Sequence, residues 1–156
     1  SPWSDRLFCY HASLDEFAKE MEEEEKYDLI ISNPPFYSED FKSEDELRNK
    51  ARFSDSLPFK DLLNYTSALL SENGQFAVII PFSEEKKFLD LAKEAGLYPN
   101  RITHVKGKED SPVKRSLIQL SSSESRVQKN QLTIEVSRHH YTGEYIELVK
   151  DFYLKM

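Results

Sequence analysis

YDLIISNPPF, residues 27–36, is the stretch of the chain that decides its fold. Tyr27–Ile31 is a continuous apolar run broken only by Asp28, a pattern typical of a central strand covered on both faces. A proline after Asn33 confines Asn33 to extended backbone, and Pro34 and Pro35 fix their own φ angles and lack N–H donors. The stretch therefore predicts a buried strand that ends in a stiff turn.

The segments on both sides of this stretch alternate between helix and strand patterns. Apolar spacing and end signals predict helices over Leu14–Met21, from Pro58 to a stop at Asn73-Gly74, from Ser83 to Gly96, and from Thr142 to Tyr153. Strands are predicted over residues 6–11, 75–81, 97–106, 113–121 and 131–137, and a long loop over residues 38–56. This order predicts an α/β domain with a mostly parallel sheet, helices on both faces and an antiparallel hairpin at one edge.

Charge is unevenly distributed along the 156 residues, whose formal net charge is -7. Residues 13–28 hold eight acids and two bases, whereas residues 101–119 hold five bases and two acids. An acidic average thus conceals a basic region, although solvated surface is the simplest interpretation of both clusters. The apolar runs are shorter than the roughly 18 residues of a membrane helix, and Cys9 is the single cysteine. We therefore expect a cytoplasmic protein with no membrane partner.

The turn at residues 33–36 offers a specific set of chemical groups. The Asn33 side-chain oxygen and the Pro34 carbonyl can accept the two hydrogens of an exocyclic amine, and Phe36 can stack on the ring that carries it. Holding both hydrogens orients the nitrogen and favours a more available lone pair. The alternative is that the two prolines only end the strand and turn the chain.

Asn-Pro-Pro-Phe after an apolar strand resembles the hallmark of class I methyltransferases that act on adenine N6 or on a glutamine amide. Tyrosine is usual in the enzymes that methylate glutamine in release factors, and Phe36 is more similar to the RNA adenine enzymes. Three further stretches resemble the bacterial valine-tRNA (adenine-37-N6)-methyltransferase family: SPWSDR at residues 1–6, VKRSLI at residues 113–118, and residues 140–154 from HYTGEY to KDFYL.

The resemblance implies methyl transfer from S-adenosylmethionine to the N6 amine of adenine 37 in valine tRNA. The implied catalytic residues are Asn33, Pro34, Pro35 and Phe36, and the implied cofactor contacts are Ser13, Leu14 and Asn33. Where the family often has His-Ala-Asp, this chain reads His11-Ala12-Ser13, so Ser13 or Asp15 would take the place of that acid. The candidate RNA contacts are Arg115, Lys114, Lys106, Lys108, Arg48 and Arg52.

A departure from the family concerns the glycine-rich cofactor loop. The chain has four glycines, none of them in a Gly-x-Gly pattern, and Ser1 matches a point after the family's second strand. We therefore expect residues 1–156 to be the C-terminal two thirds of one catalytic domain, a partial Rossmann-like sheet without its first two strands and impaired in cofactor binding. We further expect residues 6–11 to be poorly paired, or to borrow an edge in an edge-paired or strand-exchanged homodimer.

Two other functions stay open at this point. One is a protein glutamine N5-methyltransferase, and the other is a non-catalytic fragment that binds RNA or self-associates. No metal site is predicted, because His139 and His140 are adjacent and lack partners at ligand spacing. His104 is interpreted as a strand-surface or satisfied core residue.

Overall fold

A computed structural model of the chain describes residues 2–21, 26–35 and 58–153. The helices in these residues are α1 (Leu14–Met21), α2 (Phe59–Leu69), α3 (Glu85–Glu94) and α4 (Gly143–Val149), with a 3-10 turn at Phe82–Glu84 before α3. The strands are β1 (Tyr27–Ser32), β2 (Leu70–Pro81), β3 (Tyr98–Lys108), β4 (Val113–Ser121), β5 (Gln128–Ser137) and β6 (His140–Tyr141). The predicted loop over residues 38–56 lies outside the described residues.

The described strands form one sheet with the order β1-β2-β4-β3-β5-β6. β1 is parallel to β2 and β3 is parallel to β5, whereas β4 is antiparallel to both β2 and β3, and β6 is antiparallel to β5. The predicted α/β class is therefore confirmed. Four strands share one direction, but the neighbours on both sides of β4 oppose it, so the prediction of a mostly parallel sheet holds only in part.

The predicted antiparallel hairpin exists, but its predicted place at the edge of the sheet is wrong. β3 and β4 pair from Tyr98 with Ser121 to Lys106 with Val113, and β4 then lies between β2 and β3. β4 can occupy an interior position because Ser116, Ile118 and Leu120 are buried on one face. β5 returns to pair with the other side of β3.

The core lies between the sheet and the helices α2 and α3. Alternate residues of β2 (Phe76, Val78 and Ile80) are each at most 3% exposed, which is the period expected for a strand with one face on the core. The helices contribute to the same cluster with Leu62, Leu63, Phe88 and Ala92. Phe59 and Phe88 meet edge to face with ring centroids 5.0 Å apart.

β1 is the outermost strand of the sheet formed by the described residues, and the expectation that it is covered on both faces is wrong. Leu29 is 56% exposed and Ile31 is 73% exposed, whereas Ile30 packs partly against the core. The apolar run still forms a strand, because β2 pairs with it along one side. An apolar strand with an open edge is a surface suited to further strand pairing.

The N-terminal residues also differ from the prediction. No strand forms over residues 6–11, and Leu7, Phe8 and Tyr10 are each more than half exposed. Among the described strands none pairs with this segment, which matches the expected alternative that it stays poorly paired. Tyr10 contacts Phe17 of α1 with ring centroids 5.3 Å apart.

Helix ends were predicted correctly where a cap residue is used. Thr142 begins α4 by accepting a hydrogen bond from the Tyr145 backbone N–H, and Gly96 follows α3 with a positive φ of 74°. Ser83 is not a side-chain cap, because a 3-10 turn precedes α3. The helix predicted from Thr142 to Tyr153 ends at Val149, and Phe152 and Tyr153 beyond it are 85% and 55% exposed.

The predicted helix stop at Asn73-Gly74 is wrong, since α2 ends at Leu69 and β2 begins at Leu70. The pairing with β1 jumps from Tyr27–Leu70 to Leu29–Gln75, so β2 bulges between Leu70 and Gln75. Gly74 lies at this bulge, where an added Cβ would be 2.8 Å from the Tyr27 carbonyl oxygen and 2.7 Å from Leu70 Cγ. Glycine is thus required by close approach and not by a helix end.

Replacing Gly74 by alanine should lower the free energy of unfolding by about 1–3 kcal/mol, because the new methyl group overlaps the backbone of β1. Chemical denaturation measures this change. Gly143→Ala is the matched control, because nothing lies within 4 Å of its added Cβ. Equal stability of the two variants would contradict the close contact between β1 and β2.

Candidate functional site

Asn33 and Pro34 follow β1 at the carboxyl end of the parallel pair formed with β2. Ser32 pairs with Val78, which places Asn33 just beyond the last bonded residue of β1. Asn33 and Pro35 are exposed, whereas Pro34 is buried. Carboxyl ends of parallel strands are where open α/β sheets bind ligands. The buried ring of Pro34 thus lies next to an exposed Asn33.

A cavity of about 790 Å³ lies on the face of the sheet opposite α2 and α3, with Ser32 and Asn33 in its lining. Its floor is apolar, with Ile31, Ala77, Ile79 and Leu117, and its polar lining includes Arg101, Glu144 and Glu147. The volume lies within the range of small-molecule sites, roughly 300–1,000 Å³. Asn33 therefore borders a concave surface and not a flat one.

Ser13 forms a capping box at the start of α1. Its hydroxyl donates to Glu16 Oε2 over 2.9 Å and accepts from the Glu16 backbone N–H, while its own backbone N–H donates to the same carboxylate oxygen. The Ser13 backbone and side chain lower the pKa of the Glu16 carboxyl. The sequence pattern Ser13-x-x-Glu16 is the usual signal of such a capping box.

Asp15 connects α1 to α2. Tyr65 Oη donates to Asp15 Oδ1 over 2.5 Å, and Lys19 Nζ donates to Asp15 Oδ2 over 2.9 Å. The hydrogen bond from Tyr65, followed by that from Lys19, lowers the pKa of the Asp15 carboxyl, and Asp15 in turn raises the pKa of Tyr65. Asp15 therefore links α1 to α2 through its hydrogen bond with Tyr65.

The basic residues of the β3–β4 hairpin do not all have the same freedom. Lys106 Nζ donates to the Glu109 carbonyl over 2.9 Å and is half-buried, whereas Lys108, Lys114 and Arg115 are exposed. Arg115 pairs in register with Pro81 on β2 and with Val105 on β3. Arg115 thus lies at the edge of the sheet where β2 ends.

A polar cluster that the sequence did not reveal lies at the same edge. Glu85 Oε2 accepts from Ser116 Oγ over 2.5 Å and lies 2.8 Å from His104 Nε2. Phe82 meets the His104 ring edge to face, with centroids 5.0 Å apart. The interpretation of His104 as a satisfied residue is correct, but its partners are Glu85 of α3 and Phe82 of the 3-10 turn, and they share no motif with it.

Phe36, Arg48 and Arg52 lie outside the described residues. Among the residues that are described, no group of three or more His, Cys, Asp or Glu side chains is placed to hold a metal ion. No helix in the same part of the chain is long and apolar enough to span a bilayer.

Two curated proteins are similar to the chain over its whole length. The tRNA1(Val) (adenine(37)-N6)-methyltransferase of Christiangramia forsetii is 59% identical over 156 residues, and that of Flavobacterium johnsoniae is 58% identical over 157 residues. The chain covers 65% and 66% of these two relatives. No family model matches the chain. The resemblance seen in the sequence is confirmed: the chain is a homologue of proteins with this name.

The fold also recurs among solved structures. The M1.HpyAVI–SAM complex superposes with a TM-score of 0.51 at 14% identity, covering 81% of this chain and 67% of that one. At this identity the match concerns the fold alone.

Replacing Ser13 by alanine should lower the free energy of unfolding by about 1 kcal/mol, because α1 loses its cap. Ser13→Asp restores an acceptor at the same position and should keep most of the stability. Urea denaturation of the three proteins measures both effects. If the Ser13→Ala variant were as stable as the wild-type protein, the capping box would contribute nothing to the free energy of unfolding.

Proposed function

We propose that this chain, a homologue of the tRNA1(Val) (adenine(37)-N6)-methyltransferases, supplies the amine-holding part of an enzyme. The enzyme transfers a methyl group from S-adenosylmethionine to the N6 amine of an adenine in tRNA, at position 37 of valine tRNA. The chain spans about two thirds of the length of the relatives it matches.

The observation that carries this proposal is the position of Asn33. It follows directly on a parallel strand, at the ligand-binding edge of the sheet, with an exposed amide and a buried proline behind it. An amide that only ended a strand would not need two prolines to stiffen it. Phe36, three residues further along the chain, would supply the aromatic face that stacks on the adenine.

The chemistry follows from the two acceptors. An adenine amine is a poor nucleophile, because its lone pair is delocalised into the ring. Asn33 Oδ1 and the Pro34 carbonyl accept the two N6 hydrogens and orient the nitrogen toward its target, which supplies catalysis by positioning. After transfer the nitrogen is cationic. The same two oxygens stabilise that charge until one proton passes to water.

S-adenosylmethionine, when bound, supplies an electrophilic methyl group on a sulfonium sulfur. The residues proposed to hold it are Ser13, Leu14 and Asn33. Ser13 fits a contact with an amine donor, because its hydroxyl donates one bond and accepts one, which leaves a second lone pair. Leu14 packs against the core and provides a fixed apolar neighbour.

The proposed RNA contacts are Arg115, Lys114, Lys106 and Lys108 of the β3–β4 hairpin, with Arg48 and Arg52 from the sequence. Exposed Lys and Arg side chains bind phosphate and dominate affinity for nucleic acids. Lys114 and Arg115 lie at the end of β2 and favour a polyanion over a release-factor peptide. Measuring methyl transfer to tRNA and to a release-factor peptide decides which of the two is the substrate.

A second candidate function is self-association through β1. The outer edge of β1 is open within the described sheet, and Leu29 and Ile31 on this strand are more than half exposed. Such an edge can pair with a strand of another copy and give an edge-paired homodimer.

Replacing Asn33 by alanine in the complete protein should lower kcat for tRNA methylation by at least about a hundredfold, because the amine loses one of its two acceptors and its orientation. The measurement is transfer of a labelled methyl group to valine tRNA. Asn64→Ala is the matched control, because Asn64 is exposed on α2 and should leave kcat unchanged. Wild-type kcat in Asn33→Ala would contradict the proposal.

Replacing both Lys114 and Arg115 by alanine should weaken tRNA binding and make it less dependent on salt, since each lost phosphate contact removes about one unit from the salt slope. Binding is measured by fluorescence anisotropy at several salt concentrations. The double variant Lys60→Ala with Lys93→Ala removes the same charge from α2 and α3 and serves as control. Equal slopes in both double variants would exclude a specific role of the hairpin.

A further inference from the structure

We propose that Phe82 is a stacking platform for a nucleotide that flanks the methylated adenine. This inference rests on the proposed function, and it adds a substrate-positioning residue that lies outside the Asn33–Phe36 motif. Four residues support it: Phe82 itself, His104, Glu85 and Ser116.

Phe82 lies beyond the same edge of the sheet as Asn33. β1 and β2 are parallel, and Ser32 pairs with Val78. β2 then continues to Pro81, so Phe82 begins farther out beyond the same edge of the sheet as Asn33. At about 3.3 Å per residue the offset along the strand direction is roughly 10 Å. That distance suits a neighbour of the target nucleotide and excludes contact with the target amine itself.

The Phe82 ring is held in place by contacts that lead into the core. Phe82 is 42% exposed, and its ring meets His104 edge to face. His104 is hydrogen-bonded to Glu85, and the same carboxylate oxygen accepts from Ser116, which is fully buried. A chain of contacts anchored in the core thus fixes the orientation of a partly exposed aromatic ring. A fixed ring loses little conformational entropy when it binds a base.

The cationic side chains of Lys114 and Arg115 lie at the same end of the sheet as Phe82. Arg115 is exposed and pairs in register with Pro81, the residue before Phe82. Lys114 is the next residue on β4. Ser116 bonds to Glu85 on the helix side of the sheet, so strand alternation puts Lys114 on the same face as the Phe82–His104 pair and Arg115 on the opposite face. An aromatic ring with cations at the same strand end is a combination with which proteins bind single-stranded RNA, the ring stacking on a base and the cations contacting phosphate. This combination of an aromatic ring and cationic side chains favours RNA over an apolar partner.

The test compares three substitutions of Phe82 in the complete protein with valine tRNA as substrate. Phe82→Leu keeps an apolar side chain but removes the ring, Phe82→Ala removes both, and Phe82→Trp keeps a ring. Val136→Ala is the control, because Val136 is 73% exposed on β5, away from this edge. The readouts are KM for tRNA, KM for S-adenosylmethionine, kcat and the thermal unfolding midpoint.

We expect Phe82→Leu and Phe82→Ala to raise KM for tRNA by at least about fivefold, the loss of one stacked base, with kcat and KM for S-adenosylmethionine changed less than about twofold. Phe82→Trp and Val136→Ala should stay near wild type. An unchanged KM for tRNA in Phe82→Leu, or an equal rise of this KM in Phe82→Trp, would overturn the role of Phe82. The proposed function would still stand in that case, provided that the wild-type protein methylates tRNA. A wild-type protein that methylates no tRNA would instead refute the proposed function.

Discussion

The parallel pairing of β1 with β2 is the constraint on which the rest of this structure depends. It brings two strand ends to one edge of the sheet, and Asn33 and Phe82 each follow one of them. The pairing is close enough at Gly74 that a single methyl group would collide with the β1 backbone. It also fixes which residues of β2 face the helices, because a shift by one residue would turn Phe76, Val78 and Ile80 away from the core.

Much of this fold could be predicted from local patterns. The bounds of α1 and β4 agree with the prediction, because apolar spacing and turn residues define both elements. The place of β4 between β2 and β3 could not be predicted, since strand order depends on tertiary packing and not on hydropathy. The Asn73-Gly74 pair misled for a similar reason. It has the residues of a helix end, but Gly74 is required by the approach of another strand.

The candidate site shows the same division between motif and tertiary contact. Asn33 and Pro34 were predicted from their neighbours in the sequence, and they follow β1 at the carboxyl end of its parallel pair with β2, where open α/β sheets bind ligands. The cluster of Glu85, His104 and Ser116 was not found, because its members come from a helix and two strands and meet only in the folded chain. Asp15 is an intermediate case: its carboxylate was noticed as a cofactor candidate, whereas its bond to Tyr65 could be seen only in three dimensions.

The interior position of β4 has a consequence for the order in which the protein folds. β4 follows β3 in the chain but separates β3 from β2, so the two halves of the sheet join only when β4 inserts. Until residues 113–121 have left the ribosome, β2 has no partner on that side, and its apolar edge is open to pairing with other strands. Non-local strand insertion also slows folding, because the loop must close before the contacts form. Insertion of the β3–β4 hairpin is thus the step that joins the two halves of the described sheet.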